Sequence, residues 1–235
     1  QARSERVSSW WHEVPFGRAI QSPRWSTVAE APWPDQEPVL VWRGAQGGVI
    51  VPLAVLGTHP VVNADFGGRS VAFTWSAYGD TAVVLERPDR VHFEPTLEVL
   101  HGVTLVTASD DRGQWSPALG MAIRGVSVGR TSELAAGAVR TTFARARRVA
   151  PQARVLLGEE RDEVKNLIAV RDRLSRRGEI AQGGERVSVI AIGDQRHGFE
   201  LEKATDGISR ARVAGRDVAL VHTGALRAAY IEPEA

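Results

Sequence analysis

The strongest constraint on this fold is that the chain nearly repeats itself. Glu37-Pro38-Val39-Leu40-Val41 returns as Glu185-Arg186-Val187-Ser188-Val189, and Gly68-Arg69-Ser70-Val71-Ala72 returns as Gly215-Arg216-Asp217-Val218-Ala219. The first pair is displaced by 148 positions and the second by 147, so two segments of about fifty residues align with a single deletion. Each unit alone would leave one apolar face open, so the copies are expected to pack face to face or close a barrel. The expected class is α+β, mostly β: two pseudo-repeated strand units packed together with two helices between them.

Periodicity fills in the units. Val39 to Trp42 and Val49 to Leu53 flank Gly44-Ala45-Gln46-Gly47-Gly48, the pattern of a hairpin. Val61 to Asn63 and Ser70 to Trp75 flank Phe66-Gly67-Gly68-Arg69, and Thr81 to Glu86 adds a third strand. Shorter strands are predicted at Val103 to Thr107, Met121 to Ile123 and Val155 to Leu157. Thr141 or Thr142 is placed to cap a short helix running through Val149 and stopped by Pro151. Glu159 to Arg177 has an apolar stripe at Val164, Leu167, Ile168, Val170 and Leu174, acids at its start and arginines at its end, and predicts a connecting helix. Strands resume at Val187 to Ile192, His197 to Leu201, Ser209 to Val213, Val218 to His222 and Ala228 to Ile231.

These segments divide the chain into an extended arm rich in Trp and Pro (1–36), a first unit with the middle strands and short helix (37–158), a connecting helix (159–182) and a second unit (183–235), together one globular domain. The arm carries Trp10, Trp11, Trp25 and Trp33 among four prolines. Its indoles are expected to cover this protein's own core, with Trp10 and Trp11 as candidates for a partner surface.

Composition removes several function classes. The formal charge of +1 offers no general field for nucleic acid or an anionic membrane. Arg140, Arg145, Arg147 and Arg148 cluster, but a basic helix face is ordinarily a solvated one. The absence of cysteine excludes disulfides, thiolate metal sites and cysteine nucleophiles. No phosphate loop, dinucleotide fingerprint or paired-carboxylate motif occurs, no apolar run is long enough for a transmembrane helix, and no cofactor is required by the sequence.

The stretch with most chemical potential is Thr58-His59-Pro60-Val61-Val62-Asn63-Ala64-Asp65-Phe66-Gly67-Gly68, followed by Thr74-Trp75-Ser76-Ala77-Tyr78-Gly79-Asp80-Thr81-Ala82. Here the chain resembles the bacterial domain-of-unknown-function family 3179, in which a His-Glu-Ile-Val-Asn-Asp-Thr-Val-Gly-Gly-like stretch precedes a Tyr-Cys-Pro-Leu-Cys-Gly-like one. His59, Asn63, Gly67 and Gly68 match the first. The resemblance extends through Ile20 to Trp42, Gln114 to Gly125, and Thr141 to Leu156. It implies a carboxy-terminal copy of the first unit and, with Gln1 rather than Met at the start, an extracytoplasmic location. Ser76 and Gly79 stand where the family has its two cysteines, and Thr223 and Leu226 are read at the matching turn of the second copy. Neither serine nor glycine replaces a thiolate, so the family's thiol site reads as lost.

The leading expectation is therefore a non-catalytic binding or assembly module, with a protein partner or a second copy of itself. One alternative is a metal- or small-ligand-binding enzyme built on His59 and neighbours, with Asn63, Ser76, Tyr78, Trp115 and His222 as candidates. His222 aligns with Trp75, so the copies could bring two histidines together. A second alternative is a hydrolase using Ser76, His59 and Asp65 or Asp80. No catalytic residue is assigned, and no metal is specified.

Overall fold

A computed structural model describes residues 8–9, 17–44, 47–76, 81–88, 90–100, 103–133, 135, 138–158, 187–192, 195–200, 207–223 and 226–231. It is α+β and mostly β. The first unit contains the hairpin β3 (Pro38–Gly44) and β4 (Gly47–Pro52), the helix α1 (Leu53–Thr58) and the antiparallel run β5 (Val61–Phe66), β6 (Arg69–Ser76) and β7 (Thr81–Glu86). Before it stand β1 (Ser8–Ser9) and β2 (Arg24–Thr27). After it come β8 (Phe93–Leu100), β9 (Val103–Ala108), β10 (Gln114–Ser116), β11 (Met121–Arg124), β12 (Ala138–Thr142), α2 (Phe143–Val149) and β13 (Arg154–Leu157). The second unit is the hairpin β14 (Val187–Ile192) and β15 (Gln195–Glu200), then β16 (Gly207–Val213), β17 (Arg216–Thr223) and β18 (Leu226–Ile231).

The repeat is written into the strand register. In the leading hairpins Val41 pairs with Ile50 and Val189 with Gly198, each 148 positions on. In the following hairpins Val61 pairs with Thr74 and Ile208 with Val221, each 147 positions on. The single deletion therefore falls in the stretch that forms α1 in the first copy. Both of the later hairpins turn on two residues with positive φ, the arrangement that matches strand twist. The first uses Gly67 (φ 61°) and Gly68 (φ 76°), and the second Ala214 (φ 51°) and Gly215 (φ 75°).

One reading of the second copy needs correction. The β6–β7 connection spans four residues and the β17–β18 connection two, because Ser76 pairs with Thr81 and Thr223 with Leu226. Leu226 is thus the strand counterpart of Thr81 rather than of Gly79.

The strands form an eight-stranded sheet ordered β16-β17-β18-β12-β3-β4-β13-β2, a five-stranded sheet β1-β8-β9-β10-β11, the three-stranded sheet β5-β6-β7 and the hairpin β14-β15. The segment 133–142 flanks both units. Glu133 and Ala135 bond to the outer edge of β7, and β12 follows directly, lying between β18 and β3.

α1 was not expected, because a short, continuously apolar run has no distinguishing period. All six of its residues are buried, and the Ala54 N–H donates to the Glu37 carboxylate at 3.0 Å. Thr142 does occupy the N-cap of α2, yet its side chain makes no capping bond. The free N–H groups of Phe143 and Ala144 donate instead to the carbonyls of Glu37 (2.8 Å) and Asp35 (2.9 Å). The helix expected from Glu159 lies outside the described residues.

The main core is organised around edge-to-face aromatic contacts, with Trp42 against Phe73 (6.0 Å) and Phe66 (6.3 Å) and Trp25 against Phe66 (6.4 Å). A second core beneath the five-stranded sheet has Phe93 against Trp115 at 5.6 Å. Trp25 and Trp33 of the amino-terminal region both join the protein's own structure. Trp25 lies in β2, and buried Trp33 donates its indole N–H to the Leu156 carbonyl at 3.1 Å. Trp10 and Trp11 lie outside the described residues.

Candidate functional site

β5 and β6 carry the candidate residues. The register that pairs Val61 with Thr74 continues through a bond from the Trp75 N–H to the Pro60 carbonyl (3.1 Å), which brings Ser76 level with His59. Their side chains are engaged with different partners. His59, half-buried after α1, places Nδ1 2.7 Å from the Arg18 carbonyl. A carbonyl only accepts, so Nδ1 is the donor of this bond, which in the neutral ring leaves the lone pair on Nε2. The incoming segment approaches so closely that a Cβ on Gly17 would lie 2.6 Å from His59 Nδ1. That clash, and the 2.9 Å at which the same Cβ would meet the Thr58 carbonyl, need glycine there, and the Gly17 N–H donates to that carbonyl at 2.7 Å.

Ser76 is 2% exposed, and its hydroxyl accepts from the Thr104 N–H and the Thr104 hydroxyl, each at 3.1 Å. It ties β6 to β9. Asn63 does the same between β5 and β8. At 1% exposure, its amide donates to the Phe93 carbonyl (2.9 Å) and accepts from the Phe93 N–H (3.0 Å). One side chain thus imitates the exchange of a paired strand residue, supplying the backbone partners that buried Phe93 would otherwise lack on that side. On its other side the Asn63 N–H donates to the Ile20 carbonyl at 2.9 Å. Glu94 holds the same incoming segment, accepting from the Ala19 N–H (2.9 Å) and the Gln21 amide (2.7 Å).

Of the two acids a serine triad could use, Asp65 is placed elsewhere. Asp65 stands at the far end of β5, and Val61 to Asp65 alone spans about 13 Å at the usual rise per strand residue. Its carboxylate accepts from Ser70 (2.6 Å) and from Arg87 (2.6 Å). The Arg87 side chain is 2% exposed and also donates to the Val71 and Val91 carbonyls, so Asp65 completes a structural clamp. Nothing in the sequence marked Arg87, because a buried arginine is recognised only by its acceptors. Tyr78, Gly79 and Asp80 lie outside the described residues.

Trp115 is core: 1% exposed, against Phe93, with its indole N–H unbonded among the described residues. The hydroxyl of Thr58, beside His59, is also buried and has no hydrogen-bond partner among the described residues. His222 falls in β17, paired with Gly207 and Arg227, in a different sheet from the strand that follows His59. Among the described residues no group of three His, Cys, Asp or Glu side chains could hold a metal ion, and no helix is long and apolar enough to cross a membrane.

The arrangement is chemically one of cross-links: Asn63, Ser76 and Arg87 each satisfy backbone groups of another segment. Comparison with known proteins gives no activity to set against it. No curated protein and no solved structure matches the chain. A family model described as a protein of unknown function, DUF3179, matches residues 18–234. With nearly its whole length covered, the chain belongs to that family.

Proposed function

We propose that this protein is a non-catalytic, extracytoplasmic binding or assembly module in which the thiol site of its family has been lost. The observation that carries the reading is the use made of the motif that resembles a catalytic stretch. Ser76, at a cysteine position of the family pattern, is a buried acceptor for Thr104, and Asn63 is a buried bridge to Phe93. A hydroxyl closed to solvent is a poor nucleophile for a substrate that must reach it. Co-purification from the native source with light scattering tests the module directly. A stable complex or oligomer is expected, and a lone monomer without partner would overturn the reading. Labelling of Ser76 by a fluorophosphonate would overturn its non-catalytic part.

A second reading, a metal or small ligand held at His59, is favoured by the fixed ring, since a bond from Nδ1 to a carbonyl is how ligating imidazoles are oriented. Metal analysis of protein purified without a histidine tag separates the two. Near-stoichiometric metal lost in a His59→Ala variant would select the second.

A further inference from the structure

At the end of the molecule where the β3–β4 and β5–β6 turns meet the residues after α2, Gly47, Gly48 and Gly67 border an open cleft of about 160 Å³. Its side-chain lining is Asp65, Phe66, Gln152 and Arg154. The Phe66 ring is a fixed floor, wedged edge-to-face against Trp25 and Trp42. The Arg154 guanidinium lies over that ring, 5.4 Å from its centroid. A guanidinium attracted to an aromatic face by its charge spends none of its N–H donors on that contact. Neither the Arg154 side chain nor the Gln152 side chain has a hydrogen bond or ion pair among the described residues.

The cleft's charge balance follows. The Asp65 carboxylate is already matched by buried Arg87, which leaves Arg154 as the uncompensated charge among these lining side chains. The geometry points to a binding site for a small organic monoanion, a carboxylate with a short apolar body. Its carboxylate meets the edge of Arg154 and the Gln152 amide, and its body lies beside Phe66 and the glycine turns. A dianion such as phosphate fits less well, because only one positive charge is uncompensated and the Asp65 carboxylate also lines the cleft. The volume equals about five waters, which suits an acid no larger than benzoate. This site lies apart from the His59 and Ser76 region and does not depend on assembly.

Benzoate titration followed by amide NMR tests the proposal on the whole chain. The amides of Gly47, Gly48 and Gly67 are expected to shift saturably with benzoate and not with benzamide, its neutral analogue. Arg154→Gln is expected to weaken the interaction about tenfold to a hundredfold, the range for a bond to a charged group. Arg154→Lys keeps part of the affinity, and Arg148→Gln leaves it unchanged. Equal shifts with benzamide, tighter binding of inorganic phosphate, or benzoate shifts unaltered in Arg154→Gln would each overturn it. Unfolding midpoints equal to the parent's establish that the variants remain folded.

Discussion

Asn63 is the most exposing position at which to test whether the motif is scaffold. Replacing it with alanine leaves both the N–H and the C=O of Phe93 facing Asn63 without their partner, in a residue that is fully buried. An unsatisfied buried group costs about 1–3 kcal/mol, so the pair amounts to about 2–6 kcal/mol. At this chain length that corresponds to a fall in Tm of roughly 5–20 °C. Asn63→Asp sharpens the test, because an ionised carboxylate accepts from the Phe93 N–H but cannot donate to its carbonyl. Only the protonated acid imitates the amide. Its folded-state pKa is therefore raised above the unfolded value of about 3.9. The folded state then binds more protons than the unfolded state, and stability falls as pH rises, by about 1.4 kcal/mol per unit between the two pKa values. Urea unfolding of parent, Ala and Asp variants at pH 4 and pH 7 reads this directly. A cost below about 1 kcal/mol for Ala, against the range for unsatisfied groups, or an Asp penalty equal at both pH values, would refute the cross-link argument.

Three further outcomes follow from the same geometry. Arg87→Ala is expected to destabilise far more than Asp65→Ala in chemical unfolding, since Arg87 also serves two backbone carbonyls while Asp65 is 74% exposed. Ala214→Gly is expected to stabilise by about 1 kcal/mol, because alanine there adopts the left-handed conformation that only glycine tolerates freely; a lower unfolding midpoint would contradict this. The Asp111 carboxyl is held below its ordinary value of 3.8 chiefly by the Ser127 hydroxyl, then by the Gly113 N–H. Its contribution is present above the unfolded pKa and lost as pH falls through the folded one, so Ser127→Ala should raise the Asp111 pKa in a carbon-13 NMR titration.

The strands were legible wherever β-branched runs sit between glycine turns: Thr81 to Glu86 and Val187 to Ile192 have the expected bounds. The strand pairings repeat at the two offsets read from the sequence, and it is the pairings that place the single deletion at α1. β8, by contrast, was not anticipated. Phe93-Glu94-Pro95-Thr96-Leu97-Glu98 carries a proline and two acids, and its place is set by Asn63 and by β9 rather than by local preference. The same holds for the candidate residues. Sequence brought His59, Asn63 and Ser76 forward as chemistry-bearing types, but what each one bonds to, Arg18, Phe93 and Thr104, is separated from it by 28 to 41 positions. The cleft at Arg154 had no linear signature, since its lining comes from three separate turns.

The two copies also show how a hairpin keeps an interaction while its chemistry changes. Ser70 donates to Asp65 in the first; their counterparts, Asp217 and Arg212, face each other as an ion pair at 3.9 Å in the second.

The position of β12 bears on how the chain reaches this state during synthesis. β3, β4, β13 and β2 can associate once residue 157 has emerged, yet β12 then presents a bare outer edge until β18, more than sixty residues later, arrives to cover it. A bare strand edge is a template for other chains. The carboxy-terminal copy thus acts as a cap on a growing sheet, and a ribosome-released product ending at Gly158 should aggregate where the full chain does not.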